Sequence, residues 1–210
     1  IIADQQNRSL HNLAKLALRR AESVVTQSVQ TLNELATRGT TDCRPQTLQT
    51  IRFAIYQNGQ IKDVRIGDAN GAVQCSSFPE TLEFDRTWPG LDEMRTAADH
   101  SLRLFRVDQF NGGALGVMRL VDDETTLMAI ISLNTSVLDI MPTELHEQSR
   151  IAVALADGIE IAKLAPETSA LSGPGAKRIS AVSDLYPLKS IIYVDRVALA
   201  SWNDEVYVPL

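Results

Sequence analysis

Residues 102–133, LRLFRVDQFNGGALGVMRLVDDETTLMAIISL, show the architecture of this chain most clearly. Three segments rich in aliphatic residues alternate with two short polar turns, one containing Gly112-Gly113 and the other Asp122-Asp123. Segments of this length, joined by turns of this composition, predict three antiparallel strands connected by hairpins. The three predicted strands are 102–107, 114–121 and 126–133.

Further hairpins are predicted on both sides of this stretch. Asn58-Gly59 and Asp157-Gly158 are dipeptides typical of two-residue β-turns, and a predicted strand lies on each side of both, with apolar alternation in 51–57. The additional predicted strands are 51–57, 60–66, 72–76, 151–156, 159–163, 178–182 and 188–194. The first three of these form a meander in the prediction.

Helices are predicted mainly outside the strand-rich regions. From residue 5 to 37, apolar residues recur every three or four positions, which predicts a long amphipathic helix that ends near Gly39. Shorter helices are predicted at 91–100, from Thr135 or Ser136 to 148, and at 197–206. Because the helices are segregated from runs of antiparallel strands, we expect an α+β fold, with the long N-terminal helix packed on mainly antiparallel sheets.

The composition excludes some classes of function. The chain has 210 residues, 44% of them hydrophobic and 22% charged, with a formal net charge of -6. This is an ordinary globular composition, and scattered basic residues under a negative net charge do not suit a nucleic-acid partner. No apolar run is long enough to cross a bilayer. Both ends are apolar, so we expect a segment of a longer protein, flanked by transmembrane helices.

Residue spacing excludes most site chemistry. The three histidines and two cysteines have no metal-ligand spacing, Cys-x-x-Cys is missing, and Ser76 or Ser77 as a nucleophile lacks a signalled base. We therefore predict no catalytic residue, metal site or cofactor in this segment. Cys43 and Cys75 remain, and the residues alone leave open a static disulfide, a switchable disulfide or two free thiols.

The surroundings of the two cysteines resemble a known family. Asp42-Cys43-Arg44, followed later by Gln74-Cys75-Ser76-Ser77-Phe78, is similar to the CSS-motif sensor domain. The long opening helix, Tyr186-Pro187-Leu188 and Trp202 also fit that family. The resemblance implies redox residues Cys43 and Cys75 and motif residues Asp42, Ser76 and Ser77.

The resemblance also implies an organisation and a function. Residues 1–210 would form one periplasmic sensor-like domain of a Gram-negative inner-membrane protein, with a membrane-proximal helix at 1–38, an α+β body at 39–196 and a helix at 197–210 leading to a second transmembrane segment. The Cys43–Cys75 disulfide would regulate an attached cytoplasmic EAL-type cyclic di-GMP phosphodiesterase, which has low activity when the disulfide is oxidised. Reduction would activate it and expose the domain to proteolysis. The implied partners are periplasmic disulfide-forming machinery, periplasmic proteases and a second copy of the chain.

Two other hypotheses stay open at this point. The domain could bind a small molecule over the second meander, near Trp88, Arg103 or Arg119. It could also act chiefly as a dimerisation module whose disulfide is purely structural.

Overall fold

The computed structural model describes residues 2–70, 72–78, 94–108, 113–165 and 175–202. The chain divides into two compact units. The first unit comprises Ile1–Ala21, Asn134–Ser183 and Leu188–Leu210. The second comprises Glu22–Leu133 and Asp184–Pro187. The predicted α+β class, with a long N-terminal helix and antiparallel sheets, is confirmed.

Helix α1 (Ile2–Thr37) is amphipathic along its whole length. Its buried side chains repeat every three or four residues, so one stripe of the helix faces a protein interior. The buried apolar residues are Leu10, Leu13, Ala14, Ala17, Leu18, Ala21, Val25, Leu32 and Leu35, and the buried polar ones are Gln6 and Ser28. The helix ends at Thr37, near Gly39 as predicted. Gly39 has a φ of 68° and donates its N–H to Ala36 O, while Thr40 N donates to Leu35 O. Glycine suits this left-handed position because it has no Cβ.

The second unit contains helix α2 (Pro45–Gln57) and a six-stranded antiparallel sheet, counted over the described residues, with strand order β2-β1-β6-β5-β4-β3. The strands are β1 (Ile61–Asp68), β2 (Val73–Ser76), β3 (Arg95–Thr96), β4 (Leu102–Val107), β5 (Ala114–Leu120) and β6 (Thr125–Ile131). Phe105, Met118, Met128 and Ile130 pack together in its core. Gly116 leaves room for the Phe105 ring, because a Cβ there would lie 2.3 Å from Phe105 Cζ.

The first unit contains a four-stranded antiparallel sheet, within the part of the chain described, with order β8-β7-β10-β9. Its strands and following helix are β7 (Ser149–Leu155), β8 (Glu160–Leu164), β9 (Ala176–Val182), β10 (Leu188–Asp195) and α3 (Arg196–Ser201). Ser190 Oγ donates a 2.6 Å hydrogen bond to Ala14 O, which ties β10 to α1. Asp195 caps α3 by accepting from Val197 N and Ala198 N.

The predicted strand at 51–57 is wrong, because these residues belong to α2. The apolar alternation in this stretch is typical of a strand, but Thr47, Ile51 and Ile55 are the residues that become buried, at helical spacing. Phe53 and Tyr56 are 60% and 87% exposed. Pro at the first helical turn is favourable, and Pro45 was the overlooked signal. Asn58-Gly59 therefore lies between helix α2 and strand β1, and it is not the turn of a hairpin between two strands.

Two shorter helix predictions also need correction. The described part of 91–100 contains strand β3 instead of a helix. The segment predicted as a helix up to residue 148 forms two 3₁₀ turns, Asn134–Ser136 and Thr143–Gln148. Pro142 between them cannot donate a helical N–H and disfavours a helical conformation in the residue before it. The terminal helix predicted at 197–206 is observed as α3, and 203–206 lie outside the described residues.

Candidate functional site

Cys43 and Cys75 form a disulfide bond, with an S–S distance of 2.07 Å and a Cα–Cα distance of 5.9 Å. Cys43 lies in the exposed segment between α1 and α2, whereas Cys75 lies in β2 and is only 8% exposed. β2 is an edge strand of the six-stranded sheet among the described residues. The bond therefore attaches an interhelical segment to a sheet edge 32 positions further along the chain.

Asp42, the residue before Cys43, organises the start of α2. Its carboxylate accepts hydrogen bonds from Arg44 Nε at 2.7 Å, Arg44 N at 3.0 Å and Thr47 Oγ1 at 2.6 Å. The Arg44 side chain, followed by the Thr47 hydroxyl, holds the pKa of Asp42 well below its usual range. Arg44 at the N-cap makes no side-chain capping bond, and Asp42 joins the Arg44 backbone N–H to the Thr47 hydroxyl in the first turn of α2.

Ser76 and Ser77, which follow Cys75, bind a buried carboxylate. Ser76 Oγ donates to both Asp63 oxygens at 2.8 Å, and Ser77 Oγ donates to Asp63 Oδ1 at 2.6 Å. Arg65 Nε donates to Asp63 Oδ2 at 2.8 Å, and this ion pair is almost inaccessible, with 0% exposure for Asp63 and 2% for Arg65. A buried charge needs partners of this kind, because desolvation without them costs several kcal/mol.

The strand register places these groups together. Arg65 pairs with Ser76 and Ile66 with Cys75 in the antiparallel β1–β2 ladder. Just beyond β2, Ser77 N donates to Val64 O at 2.9 Å, and Val64 N donates to Ser77 Oγ at 3.1 Å. The residues of the Cys-Ser-Ser triplet therefore have two roles, in that Cys75 forms the cross-link and the two serines fasten β2 to β1.

Sequence reasoning missed Asp63, Arg65 and Arg52. Asp63 and Arg65 are two positions apart in a strand, so they project from the same face, and opposite charges in that relation could have indicated a pair. Arg52 Nε donates to Ser77 O at 2.7 Å. It was overlooked because 51–57 was predicted to be a strand, whereas α2 carries Arg52 to the end of β2.

The site contains one group with its own reactivity, the disulfide. The Ser76 and Ser77 hydroxyls donate to Asp63 and therefore differ from a serine activated by a histidine base. Across the residues whose placement is described, no group of three His, Cys, Asp or Glu side chains could hold a metal ion. The arrangement is suited to thiol–disulfide exchange.

Two of the three residues predicted near a ligand pocket, Arg103 and Arg119, lie on the neighbouring strands β4 and β5. Arg119 Nη1 lies 3.5 Å from Asp99 Oδ2 and 3.3 Å from Ser101 Oγ, and Arg103 is on the neighbouring strand. Trp88 lies outside the described residues. A separate open cleft of about 490 Å³ lies between the last turns of α1 and the α2–β1 turn. Its lining is polar and includes Gln27, Gln30, Thr31, Glu34, Gln57, Asn58 and Gln60.

Solved structures show where the fold occurs. The ligand-binding domain of Mlp24 with asparagine has a TM-score of 0.58 and 12% identity, covering 95% of this chain and 96% of that one. The ligand-binding domain of the Pseudomonas aeruginosa PAO1 amino acid chemoreceptor PctB, in complex with L-Arg, has a TM-score of 0.55 and 13% identity, covering 95% and 99%. The extracellular domain of the putative histidine kinase rpHK1S-Z16 has a TM-score of 0.52 and 18% identity, covering 94% of this chain and 95% of that one. The chain shares the fold of such sensory domains.

The family follows from the sequence as a whole. Residues 6–205 match the CSS motif domain associated with EAL, so the chain belongs to the CSS-motif domain family. A comparison with curated proteins gives no match. Among the described residues, none of the helices combines the length and apolar character needed to cross a membrane.

Proposed function

We propose that this chain is a periplasmic redox-sensing domain that regulates an attached EAL-type cyclic di-GMP phosphodiesterase. The Cys43–Cys75 bond keeps the phosphodiesterase at low activity, and reduction activates it and makes the domain sensitive to proteases. Disulfide-forming machinery, periplasmic proteases and a second copy of the chain are its proposed partners. The supporting observation is the disulfide itself, which joins an exposed interhelical segment to a fastened strand end.

Reduction changes the balance of forces at this junction. In the chain-entropy model, a cross-link that closes a loop of this length stabilises a domain by roughly 3 to 4 kcal/mol. The bonds of Asp42 stay within residues 42–47, so they do not hold Cys43 to β2. The Arg52 contact with Ser77 does not depend on the cross-link. Reduction therefore frees the segment around Cys43 first, and the larger open population favours proteolysis.

The first helix offers a route for the signal. α1 is continuous to Thr37, six positions before Cys43, so a change in that segment acts on the end of a long helix. Near the other end of α1, Gln6 Nε2 donates to Leu199 O at 2.9 Å and to Trp202 O at 2.6 Å. The proximity of Gln6 and Trp202 suits a domain placed between two membrane segments.

The test measures cyclic di-GMP hydrolysis by the full-length protein in membranes kept under oxidising conditions. We expect Cys75→Ser and Cys43→Ser to be more active than the oxidised wild type and to match the reduced wild type. The Cys43→Ser/Cys75→Ser double variant is the matched control, because it should not respond to reductant. Equal activity of the wild type and all three variants would rule out redox regulation and indicate a structural disulfide. In that case, an oligomeric state that does not change with reductant would favour the dimerisation module.

The shared fold favours one second candidate, a small-molecule sensor. Mlp24 was solved with asparagine and PctB with L-Arg, and the present chain adopts the same fold. A ligand present at 100 times its dissociation constant stabilises a protein by about 2.7 kcal/mol. A thermal-shift screen of the oxidised chain with amino acids tests this candidate, and no shift with any of them would argue against an amino acid ligand.

A further inference from the structure

The two cysteine residues of the disulfide differ in exposure to solvent. Cys43 belongs to a run of four exposed residues, Cys43 to Gln46. Cys75 is 8% exposed, and it is followed by Ser76 and Ser77, which are 1% and 0% exposed. An attacking protein therefore meets an exposed residue at Cys43 and a nearly buried one at Cys75.

Access decides the direction of thiol–disulfide exchange. The attacking thiolate must approach one particular sulfur, and the rate depends on which sulfur it reaches. We propose that exchange enters at Cys43, with a dithiol protein as the partner, and that Cys75 is the leaving and resolving thiol. This assignment rests on the proposed redox function, and it adds which cysteine forms the bond with the partner.

The reaction balances in two steps. The partner's first thiolate forms a bond to Cys43 Sγ, the Cys43–Cys75 bond breaks, and its electron pair leaves on Cys75 Sγ, which takes a proton from water. The partner's second thiolate then attacks the partner sulfur in the mixed disulfide and releases Cys43 as a thiolate. The partner is oxidised by two electrons and the domain is reduced by two. Oxidation by a disulfide-donating protein follows the same steps in reverse, with Cys43 attacking first.

The serine network keeps Cys75 in place for this role. The bonds of Ser76 and Ser77 to Asp63 do not involve either sulfur, so they persist when the disulfide breaks. The pairing of Ile66 with Cys75 in the β1–β2 ladder likewise does not need the cross-link. Cys75 thus stays shielded in β2, while Cys43 moves with its exposed segment to meet a partner and returns.

The test identifies the cysteine that carries the mixed disulfide. The oxidised 210-residue chain is treated briefly with glutathione and then quenched in acid with an alkylating agent, and the glutathione is located by peptide mass spectrometry. We expect glutathione on Cys43 about tenfold or more over Cys75, because exchange follows access. Comparable or greater labelling of Cys75 would overturn the assignment. This measurement uses the wild-type chain, so it does not depend on the folding of a variant.

A protein probe extends the test to a partner of realistic size. A thioredoxin-type protein whose second active-site cysteine is replaced by serine cannot complete the exchange, so it stays attached to its target. We expect it to be trapped on Cys43, and trapping on Cys75 would contradict the proposal. Neither readout uses phosphodiesterase activity. Labelling of Cys75 would refute the direction alone, while an activity insensitive to reductant would refute the proposed function alone.

Discussion

The Asp63 carboxylate is held inside the protein by Ser76, Ser77 and Arg65, and it has no exposed surface. Desolvation of a carboxylate and a guanidinium is offset only when their partners are well placed. The side chains next to Cys75 therefore keep β2 attached to β1. Asp42, next to Cys43, has a local role at the start of α2.

Replacing Asp63 should be strongly destabilising. Asp63→Ala removes the buried carboxylate that Arg65, Ser76 and Ser77 contact, and removing one member of a buried ion pair typically costs about 3 to 5 kcal/mol. Urea denaturation of the oxidised chain measures the loss. Asp123→Ala removes an exposed turn carboxylate and serves as the matched control, with an expected change within about 0.5 kcal/mol. A loss below about 1 kcal/mol for Asp63→Ala would contradict the role assigned to this network.

The low pKa of Asp42 predicts a pH dependence. Because hydrogen bonds from Arg44 and Thr47 depress the pKa in the folded state, the unfolded chain binds protons first as the pH falls. The stabilisation by Asp42 is complete above the unfolded pKa of about 3.9 and is lost as the pH falls toward the folded value. The difference in Tm between the wild type and Asp42→Asn should be largest above about pH 5 and shrink below pH 4. A constant difference from pH 6 to pH 2.5 would refute this.

Among the elements, the disulfide connects β2 to the segment just before α2. α2 starts two residues after Cys43, and its Arg52 reaches the end of β2. β2 is additionally fastened to β1 by the serine network and the ladder. The two sides of the disulfide therefore differ in how firmly they are held once the bond breaks.

Hydrogen exchange should show this asymmetry. On reduction, we expect faster amide exchange from Gly39 to Thr47, because this side loses its covalent link, and little change in β1 and β2. Exchange mass spectrometry of the oxidised and reduced chain measures both regions. In a Ser76→Ala/Ser77→Ala variant, β2 should also lose protection on reduction. Equal loss of protection in β2 and in 39–47 of the wild type would show that the serines do not retain the strand.

For the whole molecule, the first unit brings the start of α1 and the end of α3 together. Gln6 is 6% exposed and satisfies two carbonyls at the end of α3, Leu199 O and Trp202 O. Leu199 O also accepts from Trp202 N, so Gln6 adds a second donor there and supplies a donor to Trp202 O, which lies just beyond the last turn of α3. A signal that moves α1 would therefore reach α3 directly.

Neighbouring glutamines allow a controlled test of this contact. Gln6→Ala removes both hydrogen bonds and should destabilise the chain by about 1 to 3 kcal/mol, because Trp202 O loses its side-chain donor, while Leu199 O keeps the bond from Trp202 N. Gln5→Ala, at an exposed position of the same helix turn, should have little effect. Exchange mass spectrometry should show faster exchange in α3 for Gln6→Ala only. Unchanged protection of α3 in Gln6→Ala would show that the contact does not hold the helix.

Local patterns in the sequence were enough for much of this fold. The long helix up to Gly39, the hairpin at Asp157-Gly158 and the strands in 102–133 follow from periodicity and turn chemistry, which act between residues close in the chain. The family and the cysteine pair were also recognisable from short motifs. The segment 51–57 was misjudged because seven residues with apolar alternation suit a strand as well as one face of a short helix.

Long-range packing decided the rest. Ser76 and Ser77 lie 13 and 14 positions after Asp63 in the sequence. Only the β1–β2 register brings their side chains within hydrogen-bond distance of its carboxylate. The unequal exposure of Cys43 and Cys75 likewise arises from the position of each residue in the fold. The amino-acid order was sufficient to single out two cysteines. Only tertiary structure shows which cysteine residue is exposed and what holds the other in place, because burial depends on groups distant in the chain.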